Sequence, residues 1–83
     1  MKEEQAQARL EAARLRAKAA WQRNYAQAYY RQASQPIYAG QELICINKGQ
    51  MMERLAALNE AEADLVEAKA LATEYPCVRG ADV

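Results

Sequence analysis

Eighty-three residues with eleven basic and eleven acidic side chains make at most one small domain of zero net charge. There is no histidine, no phenylalanine, one serine (Ser34), one threonine (Thr73) and only two cysteines. That inventory excludes the usual nucleophile–base pairs of hydrolytic enzymes and most metal sites. The β-branched residues and closely spaced turns of a β-sandwich are missing too.

The first predicted element runs from about residue 3 to 33 with neither proline nor glycine, and is rich in Ala, Gln, Glu and Arg, all helix formers. At 100° per residue it carries two apolar stripes. Ala6, Leu10, Ala13, Ala17, Trp21, Asn24 and Ala28 fall on one side, and Ala8, Ala12, Leu15, Ala19, Ala26, Tyr29 and Ala33 on nearly the opposite one. A lone hairpin supplies one neighbour, so two stripes predict a third helix from a second copy or another protein.

Residues 34–40 read as a connection. Pro36 disfavours helix at Gln35, and Gly40 permits a left-handed turn. A second helix is expected over about 41–74, with Ile44, Met51, Leu55, Leu58, Leu65 and Ala72, flanked by Val66, as its core face. Its start is the ambiguous part, because Leu43-Ile44-Cys45-Ile46 before Asn47-Lys48-Gly49 also suits a short strand and turn. Helix is favoured because a strand here has no pairing partner. Tyr75-Pro76 stops the helix, and 75–83 reads as a tail. Two equal helices and a short link define an all-α antiparallel hairpin, coiled-coil-like, expected to dimerise into a four-helix bundle.

Charge is divided between the halves. Residues 1–34 carry seven basic and three acidic groups, and residues 35–83 carry four and eight. Arg9, Arg16 and Arg23 recur every seven residues, as do Glu53, Glu60 and Glu67. The basic ladder could track phosphates, but the neutral chain and its acidic half favour a solvated or ion-paired ladder. A nucleic-acid-binding accessory protein is therefore the alternative reading. Glu60, Asp64 and Glu67 share one face, read as solvated rather than metal-binding, and no cofactor is expected. Cys45 and Cys77 are expected to be free thiols. No apolar run reaches the roughly 20 residues of a membrane-spanning helix, and the charged start lacks a signal peptide's apolar core, so a cytoplasmic protein is expected.

The aromatic cluster is the clearest candidate contact site. Trp21, Tyr25 and Tyr29 follow at i, i+4 and i+8, with Tyr30 and Tyr38 nearby in sequence. Such rings pack the hairpin end against Met51 and Met52, or meet another protein, where Tyr, Trp and Arg are enriched, and both hold together with Trp21 inward and some tyrosines outward. The partner-binding candidates are Trp21, Tyr25, Tyr29, Tyr30, Tyr38, Arg16 and Arg23. In size and two-helix plan the chain resembles the small accessory proteins of bacteriophages and mobile elements. That resemblance implies masking of a host protein's surface. The sequence thus predicts a non-catalytic binding protein that acts as inhibitor, adaptor or assembly factor.

Overall fold

In the computed structural model, which describes residues 2–74, helix α1 spans Lys2–Ala33 and helix α2 spans Glu42–Glu74. A single 3-10 turn at Pro36–Tyr38 joins them. The expected tail, with Cys77, lies outside the described residues. Among the described residues there is no strand, and 43–49 is the first part of α2.

The ends of the helices follow from local chemistry. Glu3 and Glu4 stand in the first turn of α1 and Arg31 in its last, each complementing the helix dipole. The Ser34 hydroxyl donates to the Arg31 carbonyl oxygen at 2.9 Å as the helix ends. Gln35 is extended, as expected before proline. Gly40 then takes φ +88°, the left-handed conformation that returns the chain into α2.

The helices run antiparallel and meet along a seam of small side chains. Ala12, Ala19 and Ala26 of α1 and Ala56 and Ala63 of α2 have no exposed surface, and Gly49 continues the same seven-residue spacing. Between them along the seam come Ala8, Leu15, Gln22 and Tyr29 of α1, and Cys45, Met52, Asn59, Val66 and Ala70 of α2. This spacing of alternately three and four residues is the left-handed coiled-coil pattern. One of the two apolar stripes of α1 is therefore the seam.

The expected core face of α2 is not the seam. Ile44, Met51, Leu55, Leu58 and Leu65 are 54%, 60%, 40%, 67% and 59% exposed, and of that set only the flanking Val66 occupies a seam position. The cause is size matching. A stripe of alanines on α1 is most fully covered by an equally small stripe on α2, and the larger side chains are then carried to the outside. No large side chain is fully buried anywhere among the described residues. A buried alanine methyl stabilises far less than the roughly 1.5–3 kcal/mol of a buried Val, Leu, Ile or Phe, so the seam is close-fitting but weak for its length.

Candidate functional site: the uncovered apolar face

The hydrogen bonds fix which flank of the seam each residue occupies. On one flank Arg23 grips Glu60 bidentately, with Nη2 donating to Oε1 at 2.6 Å and Nε to Oε2 at 3.1 Å. Arg16 Nη2 donates to both Asp64 Oδ1 at 2.9 Å and Glu67 Oε1 at 2.7 Å. Tyr30 Oη donates to Glu53 Oε1 at 2.6 Å. The two seven-residue ladders of the sequence are thus halves of one interhelical ladder. These bonds raise the Arg16 and Arg23 guanidinium pKa values and hold the Glu60 and Glu67 carboxyls below the ordinary range.

The opposite flank follows by heptad geometry. It carries Lys18 and Tyr25 of α1 and Lys48, Leu55 and Glu62 of α2. Lys48 Nζ lies 5.8 Å from the Tyr29 ring centre on this side, a cation–π contact. The next positions outward are Trp21 on α1 and Ile44, Met51, Leu58 and Leu65 on α2. Trp21, Tyr25, Ile44, Met51, Leu55, Leu58 and Leu65 therefore share one broad side of the hairpin, each at least 40% exposed. Leu10, Leu43 and Leu71 are also exposed but lie off this side.

The predicted contact residues are split between the two flanks. Trp21, Tyr25 and Tyr29 form a ladder of rings, with centroids 4.5 Å apart for the first pair and 6.4 Å for the second. Trp21 is 52% exposed rather than turned inward, because its position is two places removed from the seam on the wheel. Tyr30, Arg16 and Arg23 belong to the ion-paired flank. Tyr38 is half-buried in the connecting turn. Of the two methionines expected beneath the rings, Met52 is in the seam and Met51 is exposed. Leu55, Leu58 and Leu65 complete the apolar side, and sequence reasoning placed them in a core instead. Their signal was present, since one helix cannot turn both its alanine stripe and its leucine stripe to the same neighbour.

Two shallow grooves, of about 370 and 230 Å³, flank the seam near the start of α1, one beside Glu4, Glu11 and Lys69 and the other beside Arg9 and Glu67. Among the described residues no cluster of three metal-ligating side chains occurs, and no helix is long and apolar enough to cross a membrane. Comparison of the chain with protein-family models, with characterised proteins and with solved structures returned no match.

Proposed function

We propose that the protein is a non-catalytic interaction module that lays its apolar side on helices of another polypeptide. It would act by masking or bridging that surface, as an inhibitor, adaptor or assembly factor. Completion of a four-helix bundle, with a partner or with another copy, is the form this docking takes. The observation that carries the reading is the placement of seven large apolar side chains on one side of a hairpin already closed by alanine. Large exposed apolar side chains grouped on one side in this way, with Lys18, Lys48 and Glu62 among them, are the composition of an interaction surface.

The arginine ladder supports the same reading over a nucleic-acid one. Arg16 and Arg23 already hold α2 carboxylates, so phosphates would have to displace them. Retention on DNA or RNA at ~0.1 M salt, falling steeply as salt rises, would favour the nucleic-acid reading instead.

The test uses a Leu55→Lys/Leu58→Lys variant, altered only at exposed positions. Circular dichroism should remain helical, while association measured by sedimentation is lost, as is any protein co-purifying with the tagged wild type. Equal association of the variant and the wild type would sink the proposal.

A further inference from the structure

We infer that the apolar side is covered by a second copy of this chain, related by a twofold axis along the hairpin's length. The two connecting turns then lie at the same end, and α1 of each copy lies on α2 of the other. This rests on the docking reading above and names its occupant.

Area is the first ground. The chain exposes 6400 Å², against about 5,000 Å² for a compact protein of its 9.3 kDa mass. The excess, about 1,400 Å², exceeds the roughly 800 Å² that each partner contributes to a standard interface. The Cα trace measures 63 × 26 × 10 Å, so one broad side offers that area without any change of shape.

Charge is the second ground. The ion-paired ladder occupies the other flank, and on this side α1 carries Glu11, Arg14 and Lys18 while α2 carries Lys48, Glu62 and Lys69. With the turns at one end, each α1 meets its own α2 at the seam and the other copy's α2 across the interface. Every neighbouring pair is then antiparallel, and Lys18 of each copy lies within about one turn of Glu62 of the other, as does Glu11 of Lys69. With the turns at opposite ends, α1 would lie on α1 and α2 on α2, and neither the Lys18–Glu62 nor the Glu11–Lys69 pairing between copies arises.

Register is the third ground. The ladder sets residue 23 across from 60 and residue 30 across from 53. Trp21 and Tyr25 thus stand level with the stretch that holds Leu55, Leu58 and Glu62. Rotation about the long axis keeps every level. It sets Trp21 of one copy level with Glu62 of the other, between Leu58 and Leu65, and Tyr25 level with Leu58. The apolar residues lie towards the turn, between residues 21 and 25 of α1 and 44 and 65 of α2, so turns at the same end lay one patch on the other. Turns at opposite ends either set the patch on the charged end or leave part of each hairpin uncovered.

The test is a complementary pair of variants, Tyr25→Lys and Leu58→Glu, followed by sedimentation equilibrium and circular dichroism. Wild type should be a dimer. Each variant alone should dimerise more weakly by about tenfold or more. An equimolar mixture should regain the dimer, because one interface site becomes a Lys–Glu pair and the other is wild type. A mixture as weak as either variant, beside a dimeric wild type, overturns the shared-end arrangement and leaves the docking reading standing. A monomeric wild type overturns the second copy as occupant. If that monomer still binds a protein through Leu55 and Leu58, the docking reading survives; if it binds none, or binds only lipid vesicles, both fall. Variants that unfold alone but regain helix and dimer mass on mixing still support the inference.

Discussion

At the scale of single residues, Gly49 shows how context reverses an intrinsic preference. In an isolated helix, alanine in place of glycine is favourable by about 1 kcal/mol. Here a Cβ at position 49 would stand 2.5 Å from Cε1 of Tyr30, whose hydroxyl is tied to Glu53. Gly49→Ala is expected to lower the melting temperature in the wild-type background. In a Tyr30→Ala background the same change should raise it. Urea denaturation of the four chains gives the coupling directly, and additivity would refute it. Gln22 is a second case. It is 4% exposed, and its Oε1 accepts from Asn59 Nδ2 at 2.8 Å inside the alanine seam. Gln22→Ala removes that acceptor and should cost about 1–3 kcal/mol. Replacing both residues with alanine should cost less than the single change, since no amide is then left without its partner. Because the alanines repeat every seven residues, the seam looks nearly the same after a one-heptad slip. The amide pair is one feature that tells the registers apart.

At the scale of the elements, both helices, their length, and the Pro36–Gly40 connection were legible in the sequence. Long stretches free of breakers and two isolated punctuating residues are strong signals. The stripe through Ala12, Ala19 and Ala26 was legible as well. What the sequence did not reveal was the orientation of α2. Burial predicted from hydrophobicity assigns leucine to the core before alanine, whereas close approach of two helices selects for size. The Arg and Glu ladders were visible separately, but their joining needed the antiparallel register. That joining has a pH signature. The Glu60 and Glu67 carboxyls lie below their ordinary value of 4.5. Their contribution is full above that value and is lost as pH falls through the depressed folded values. The Tyr30 phenol is raised above 10.0 by donating to Glu53. Its contribution is full below pH 10.0 and is lost as pH rises through the folded value. Thermal melts should fall on both sides of that window. An Arg16→Gln/Arg23→Gln variant should show a shallower acid fall and an unchanged alkaline one.

At the scale of the whole molecule, the radius of gyration is 19.0 Å, against about 12 Å for a compact chain of 83 residues. A slab this thin has two surfaces and almost no interior, so its stability is expected to be borrowed from whatever covers its apolar side. If the cover is a second copy, the melting temperature must climb with protein concentration. Calorimetry over a hundredfold range of concentration checks this, and a constant midpoint would favour a self-sufficient hairpin. The aromatic part of the candidate site was visible in the sequence because rings at i, i+4 and i+8 stand out, and the structure leaves Trp21 and Tyr25 exposed. The aliphatic part on α2 was not, since hydropathy alone sends leucines to an interior that the slab does not possess.

The turn at Pro36–Gly40 has a further consequence. The seam has no means of recognising whether its two helices belong to one chain. Pro36, which lacks the N–H a continuous helix needs, and Gly40 at φ +88° bend the chain back on itself. With both replaced by alanine, residues 2–74 could run as a single rod of about 110 Å, and two such rods would exchange helices through the same alanine contacts. Small-angle scattering would show the maximum dimension grow well beyond the 63 Å of the hairpin. Those two positions thus hold the chain to a folded-back topology in preference to a domain-swapped one.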